Sequence, residues 1–177
     1  MIIGLTGYAR SGKDTVASIL VEKYGFERIA FADPIRSMLM DIDPLIDSGV
    51  RVSDIVTQYG WEIAKAKPEV RRLLQTLGVS ARDNLDNAVW VTAALRQMID
   101  EQDYVITDVR FINEAMMLQG IHGQIWRVER PGIVAINSHV SESEMDNYIV
   151  DYTVDNSGNL ESLESLVASR LQVAYVR

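Results

Sequence analysis

Short apolar runs alternate with amphipathic stretches along the first half of the chain. Ile2, Ile3 and Leu5 read as a short buried strand. Val16, Ala17, Leu20 and Val21 then mark one apolar helical face, and Gly25 after Tyr24 is the expected C-cap. Arg28-Ile-Ala-Phe-Ala32 reads as a second strand, ending at Asp33-Pro34. Proline there suits the first turn of a helix from Ile35 to Met40. Residues 41–54 carry Pro44, Gly49 and several acids and read as a surface loop. A weak helix follows over 53–65, interrupted by Gly60. Pro68 opens a stronger helix with Val70, Leu73, Leu74 and Leu77 on its buried face and Gly78 at its end. Leu85, Ala88, Val91, Leu95 and Met98 keep helical spacing and predict a long helix to about Asp100.

The second half repeats the alternation. Asp103-Tyr-Val-Ile-Thr-Asp108 is a third strand ending in an acid, and Ile112 to Gln119 is a short helix capped by Gly120. Gln124 to Glu129 is a fourth strand. Residues 130–147 are polar and irregular, with Pro131-Gly132 near their start. Tyr152-Thr-Val-Asp155 is a fifth strand, and Asn159 caps a terminal helix with Leu160, Leu163, Val167 and Leu171 on one face. Strands alternating with helices predict an α/β domain on a mainly parallel five-stranded sheet. Ligands of such sheets sit beyond the carboxyl ends of the strands. Thr6-Gly7, Asp33, Asp108-Val-Arg110 and Arg130 occupy those ends and are expected to converge on one cleft.

The first of these ends carries the clearest chemistry. Gly7-Tyr-Ala-Arg-Ser-Gly-Lys13 matches G-x-x-x-x-G-K between a strand and a helix. Glycines at both ends of the loop let its backbone N–H groups turn inward around a polyphosphate. Lys13 adds a positive charge, and the following helix presents its N-terminus to the anion. The next residue is Asp14, where a Ser or Thr usually ligates magnesium, and Thr15 comes one later. Asp14 is either an acidic first-turn residue favoured by the helix dipole or a carboxylate that holds the metal.

Composition narrows the partners. The chain has 177 residues, enough for one domain with a proper core, and 47% hydrophobic against 24% charged residues is ordinary for a soluble globular protein. No apolar run reaches membrane-spanning length, and no basic region precedes an apolar one at the N-terminus, as a signal peptide requires. There is no cysteine, which excludes disulfides and thiolate chemistry and fits a cytosolic protein. A net charge of −8 argues against binding duplex DNA or RNA. A small anionic ligand needs only a local cluster of cations.

Further candidates follow from their positions. Asp108 and Arg110 at a strand end are an acid near magnesium and a cation beside it, or a structural ion pair. Asp33 binds a substrate hydroxyl or phosphate, caps the helix after it, or does both. Arg72 and Gln75 share a helical face beside Arg71, and Arg82 follows. A guanidinium binds phosphate bidentately, and a Gln amide reads a base edge, although a solvated helix face is the commoner fate of such residues. Trp90 is more often core than a base-stacking platform. Arg130 opens a segment containing His139-Val-Ser-Glu142, which reads as a lid over 130–147. Ser141 and Glu144 have the spacing of a capping box.

Taken together, Gly7-Tyr-Ala-Arg-Ser-Gly-Lys-Asp-Thr15, Phe31-Ala-Asp-Pro34, Arg72-Leu-Leu-Gln75, Leu77-Gly78, Arg82 and Trp90-Val91 resemble the phage-type deoxynucleoside monophosphate kinases. So do Asp108-Val-Arg-Phe111, Asn113-Glu-Ala115, Arg130-Pro131, His139-x-Ser-Glu142 and Asn156-Ser-Gly158. The resemblance runs from the first strand to the last helix, and Gly-Lys-Asp-Thr is usual in that group. It implies one P-loop kinase domain of three layers, with a helical monophosphate-binding insertion at about 34–100 and a small lid. It implies transfer of the ATP γ-phosphate to a deoxynucleoside 5′-monophosphate with magnesium, and it admits a homodimer. If the chain is phage-encoded, its place is the host cytoplasm.

Carried over residue by residue, Gly7, Arg10, Ser11, Gly12, Lys13, Asp14 and Thr15 would hold ATP, with Lys13 on the β- and γ-phosphates. Asp14, Thr15 and Asp108 are the candidate metal ligands. Arg72, Gln75, Arg82 and Trp90 would belong to the monophosphate site, with Asp33, Arg36, Asp108 and Arg110 nearby. Arg130 would act from the lid with His139 and Glu142, and Lys13, Arg130 and Asp33 are the catalytic candidates. Two other readings remain open at this point. One is another small-molecule P-loop kinase, such as a dephospho-coenzyme A kinase, whose acid after the second strand resembles Asp33. The other is a nucleotide-binding switch that transfers no phosphate.

Overall fold

The computed structural model describes residues 1–46, 49–134 and 144–175. They divide into two compact units, one of Met1–Ala30 with Gln97–Arg177, the other of Phe31–Arg96.

The first unit is built on a five-stranded sheet. Its strands are β1 (Ile2–Thr6), β2 (Glu27–Ile29), β5 (Tyr104–Ile106), β6 (Gln124–Glu129) and β7 (Tyr152–Asp155), in the order β2-β5-β1-β6-β7. Every pairing in it is parallel. Side chains alternate across a strand, and the two faces of β1 differ accordingly. Ile3 and Leu5 point into a core shared with Val16, Ile19 and Leu20 of α1 (Lys13–Tyr24) and with Leu163, Val167 and Leu171 of α7 (Leu160–Tyr175). Gly4 points the other way, toward α6 (Ile112–Gly120). A Cβ on Gly4 would lie 2.9 Å from Leu118 Cδ1 and 2.8 Å from Val109 Cγ2, so its absence lets α6 pack close to the sheet. The result is three layers, α1 and α7 on one face and α6 on the other.

Local chemistry sets the helix ends in this unit. Gly25 C-caps α1 in the left-handed conformation, its N–H on Leu20 and Val21 carbonyls. Asn159 Oδ1 accepts the Ser162 N–H at 2.9 Å, the cap expected at the start of α7. At α6 the buried Glu114 carboxylate accepts the N–H groups of Arg110 and Phe111 at 2.9 and 3.1 Å. Glu144 accepts the Ile112 N–H at 2.9 Å. The predicted capping box at 141–144 has Ser141 outside the described residues, and the Glu144 carboxylate serves α6.

The second unit is mostly helical: α2 (Ala32–Ile42), α3 (Val52–Ala64), α4 (Pro68–Asn84) and α5 (Val89–Leu95). Leu39, Ile46, Val52, Ile55, Ala64 and Val70 form its core. It departs from the sequence reading in four places. β2 stops at Ile29 and α2 begins at Ala32, because Asp33 and Pro34 fit the first turn, where proline's missing N–H is not needed. The presumed loop at 41–54 contains a small antiparallel ladder of β3 (Leu45–Ile46) and β4 (Val50–Arg51), and α3 starts at Val52. Gly60 interrupts α3, as expected, with φ 76° and ψ 169°. Helix α4 does not stop at Gly78 but continues to Asn84. A Cβ at Gly78 would approach Ile35 Cδ1 of α2 at 3.3 Å, so this glycine serves packing inside a helix rather than ending one. The long helix predicted over 85–100 is only Val89–Leu95, because Asp86 Oδ1 accepts the Ala88 N–H at 2.9 Å and holds a turn before it. Among the described residues no helix is long and apolar enough to cross a membrane.

Glu114 gives the fold a direct test. Glu114→Ala removes the acceptor of two part-buried backbone N–H groups, at a cost on the order of 1 kcal/mol or more. Its urea midpoint should fall clearly below that of the wild type, and that of Glu114→Gln, which keeps an acceptor oxygen, should lie between the two.

Candidate active site

The parallel sheet delivers its strand ends to one edge. There the chain leaves β1 at Thr6 and enters the loop 7–12. Gly7 holds φ at +132°, and a Cβ on it would meet the Val128 carbonyl oxygen at 2.4 Å. Gly12 holds φ at +106° as the residue before α1. Both demands exclude a side chain, which is why the motif needs glycine at these two positions. Arg10 also lies at positive φ, 68°. Lys13 Nζ donates to the Gly7 and Tyr8 carbonyls at 2.6 and 2.8 Å, so the ammonium sits on its own loop.

A cavity of about 530 Å³ opens beside the loop. Gly7, Tyr8, Ser11 and Lys13 line it from one side, Arg110 from the end of β5, and Arg127 to Ile133 from β6 and its continuation. Met145, Asp146 and Asp155 complete it. Of the residues picked from sequence, the structure therefore gathers Gly7, Ser11, Lys13, Arg110 and Arg130 around one space. Arg10, Asp14 and Thr15 are exposed and do not line it, and Asp108 is half-buried at the strand end.

The cavity's far wall is held by residues that the sequence reading did not single out. Arg127 pairs in register with Thr6 and donates to the carbonyls of Met145 and Tyr148, the second at 2.9 Å. Tyr8 is hydrogen-bonded to the Asp146 carboxylate, and that bond, then burial, then the carboxylate's charge, push the Tyr8 phenol above its usual 10.0. Asn156 Nδ2 donates to the Ser11 carbonyl at 2.8 Å. No local pattern marks these three roles, because each links residues far apart in the chain. The only sequence signal was that Asn156-Ser-Gly158 belongs to the family resemblance.

The other predicted residues belong to the helical unit. Asp33 pairs with Arg36 at 3.0 Å, and the Arg36 guanidinium lies 5.7 Å from the Trp61 ring centroid. Arg72 pairs with Glu69 at 3.2 Å, Gln75 is exposed one turn on, and Arg82 donates to Asn87 Oδ1 at 2.7 Å. Trp90 is only 5% exposed, and its indole N–H donates to the Gly78 carbonyl at 3.0 Å. Its position is that of a core anchor joining α5 to α4, which is the commoner of the two fates considered for it. His139 and Glu142 lie outside the described residues.

The loop suits a polyphosphate. Ser11 Oγ is buried with no hydrogen-bond partner among the described residues, and a phosphate oxygen in the loop would supply one. The donor set also suits magnesium. No cluster of three or more His, Cys, Asp or Glu able to hold a metal occurs among the described residues. Magnesium does not need one, since it keeps several waters and takes phosphate oxygens beside one or two protein ligands. Asp14 and Thr15 stand at the start of α1, outside the cavity lining.

The Tyr8–Asp146 bond is measurable. The stabilisation tied to the raised phenol is present below about pH 10 and is lost as pH climbs through the folded-state value. Ultraviolet titration should find Tyr8, assigned by difference from Tyr8→Phe, ionising above pH 10.0 in the wild type. In Asp146→Ala it should ionise closer to that value.

The chain is similar to known proteins in sequence and in fold. A family model described as deoxynucleotide monophosphate kinase matches residues 1–62 and 46–167. A protein of Acanthamoeba polyphaga mimivirus, provisionally named a deoxynucleotide monophosphate kinase, is 29% identical over 96% of this chain and 95% of its own length. The deoxynucleotide monophosphate kinase of Escherichia phage RB69 is 31% identical over 58% of this chain, a match that spans 45% of the phage protein. The fold is that of the dephospho-CoA kinase from Campylobacter jejuni, with a TM-score of 0.52 over 98% of this chain and 96% of that one at 14% identity. The chain belongs to the deoxynucleotide monophosphate kinase family.

Proposed function

We propose that the chain transfers the γ-phosphoryl group of ATP to a deoxynucleoside 5′-monophosphate, giving the diphosphate and ADP. The observation that carries this reading is the cavity in which Lys13, Arg110 and Arg130 meet beside a phosphate-type loop. In the reaction an oxygen of the acceptor phosphate bonds to the γ-phosphorus, and the bond to the β-phosphate bridging oxygen breaks toward ADP. Such transfer needs little covalent help, so the protein's task is positioning and charge.

The residues divide that task. Gly7 to Thr15 bind the ATP phosphates through backbone N–H groups. Lys13 moves from the loop carbonyls to the β- and γ-phosphates. Arg110 and Arg130 place positive charge on the cavity side, where it offsets charge spread over the transferred group. Asp14, Thr15 and Asp108 are the residues that would hold magnesium, which would supply further positive charge on the phosphates. The Phe31–Arg96 unit is the acceptor-binding insertion, with Asp33, Arg36, Arg72, Gln75 and Arg82 as its contacts. The stretch from Arg130 to Asn147 is the lid, with His139 and Glu142 in it, and its closure excludes water.

Two kinetic outcomes follow. Lys13→Ala should remove most phosphoryl transfer, with circular dichroism and thermal midpoint close to wild type, because a P-loop cation is worth several kcal/mol in the transition state. Near-normal turnover in this variant would sink the kinase reading.

Arg130→Ala should lower kcat markedly while KM for the monophosphate changes little, as expected of a contact made mainly in the transition state. Arg130→Lys should recover only part of the loss, because an ammonium lacks the bidentate fork. Arg82→Ala should mainly raise KM for the monophosphate. Steady-state kinetics across the common dNMPs checks all three and reports base preference. A rise in KM alone for Arg130→Ala would make Arg130 a ground-state binding residue and overturn the lid mechanism.

A further inference from the structure

Asn156 follows β7 at the carboxyl edge of the sheet and makes two contacts to distant parts of the chain. Its backbone N–H donates to the carbonyl of Glu129, the last residue of β6, at 2.7 Å. Its side-chain Nδ2 donates to the Ser11 carbonyl at 2.8 Å. A Cβ on Gly12 would fall 2.2 Å from that same nitrogen. The side-chain amide is therefore packed against the Ser11–Gly12 peptide, and Gly12 is the residue that leaves room for it. A trans peptide is planar, with its C=O and N–H pointing opposite ways. Holding the Ser11 carbonyl toward Asn156 therefore turns the Gly12 N–H away from Asn156.

We propose that Asn156 is a positioning residue for phosphoryl transfer: its side chain fixes the Ser11–Gly12 peptide so that the Gly12 N–H is presented to the nucleotide polyphosphate. Its backbone bond at the same time ties this part of the loop to the end of β6, which Arg130 follows. The proposal deepens the kinase reading and rests on Gly7 to Thr15 being the ATP loop. The physical need is specific to this site. Glycine populates φ of either sign readily, so the peptide before Gly12 can rotate unless something holds it. A rotated peptide would turn a carbonyl oxygen toward the polyphosphate where a donor is wanted. Preorganised donors lose no reorganisation energy at the moment of reaction. Asn156 bonds to the backbone of the phosphate loop, so its effect belongs to the donor nucleotide.

The test uses the full chain with Asn156→Ala and Asn156→Asp. Fluorescence of mant-ADP reads nucleotide affinity, steady-state kinetics reads KM for ATP and for the monophosphate separately, and thermal unfolding reads stability. Asn156→Ala should raise the mant-ADP Kd and the ATP KM about tenfold, as the loss of one positioning hydrogen bond allows. The monophosphate KM should stay within about twofold and the midpoint within a few degrees. Asn156→Asp keeps the shape but replaces the donor with an acceptor facing a carbonyl, so it should bind nucleotide more weakly still. An aspartate variant that binds nucleotide like the wild type would show that the residue fills volume only, and would overturn the proposal. So would a parallel rise of both KM values with a collapse of the midpoint. A wild type that binds mant-ADP beside variants that bind it equally well defeats the Asn156 role alone. A wild type that fails to bind mant-ADP defeats the ATP-loop reading itself.

Discussion

The parallel pairing of all five strands is the constraint on which the site depends. A parallel strand can return to its sheet only through a crossover, and every strand then ends on the same edge. With β1 in the middle of the order β2-β5-β1-β6-β7, the loop after Thr6 emerges between the ends of β5 and β6. Arg110 and Arg130 therefore flank Lys13 around one cavity. The loop passes so close to β6 that a Cβ on Gly7 would meet the Val128 carbonyl oxygen at 2.4 Å. Asn156 closes the arrangement from the next strand over, on the carbonyl of Ser11. One topological choice, two glycines and one amide thus set the shape of the loop.

A chain of net charge −8 can still hold a cationic cleft, because the field near a ligand is local. Lys13, Arg110, Arg127 and Arg130 share one cavity with Glu129, Asp146 and Asp155. These cations are not equivalent. Arg127 is committed to the carbonyls of Met145 and Tyr148 and so shapes the wall. Lys13 sits on the Gly7 and Tyr8 carbonyls, which are neutral acceptors that a polyphosphate can outcompete. An ammonium held by carbonyls is ordered against its own loop.

What the sequence made legible was local. The phosphate loop, the strands at 2–6, 124–129 and 152–155, the break at Gly60 and the Gly25 and Asn159 caps each depend on residues a few positions apart, and all stand where the pattern put them. The misjudged elements depend on distant packing. Gly78 reads as a stop, yet α2 lies against it and α4 runs through. Leu85 extends the apolar period of the next helix, yet it is 75% exposed and the Asp86 turn separates it from α5. The same limit applies at the site. Lys13 and Arg130 were legible from motif and strand end, whereas the Arg127, Tyr8–Asp146 and Asn156 contacts join residues more than ten positions apart that no periodicity connects.

The helical unit holds its candidate acceptor residues in a state that suits exchange. Arg72 pairs with Glu69 and Arg36 with Asp33, each one helical turn apart and each open to solvent on at least one partner. Exposed pairs of this kind contribute about 0–1 kcal/mol. They order the guanidinium on the helix surface and yield easily to a better partner. A phosphate monoester is such a partner, since it carries more charge than a carboxylate and accepts both arms of the guanidinium fork. Trp90 contributes differently. Buried and bonded to the Gly78 carbonyl, it fixes α5 against α4 and so fixes the helix on which Arg72, Gln75 and Arg82 stand. In this unit, rigidity lies in the helix packing and ease of exchange lies in the surface pairs, and an acceptor site needs both.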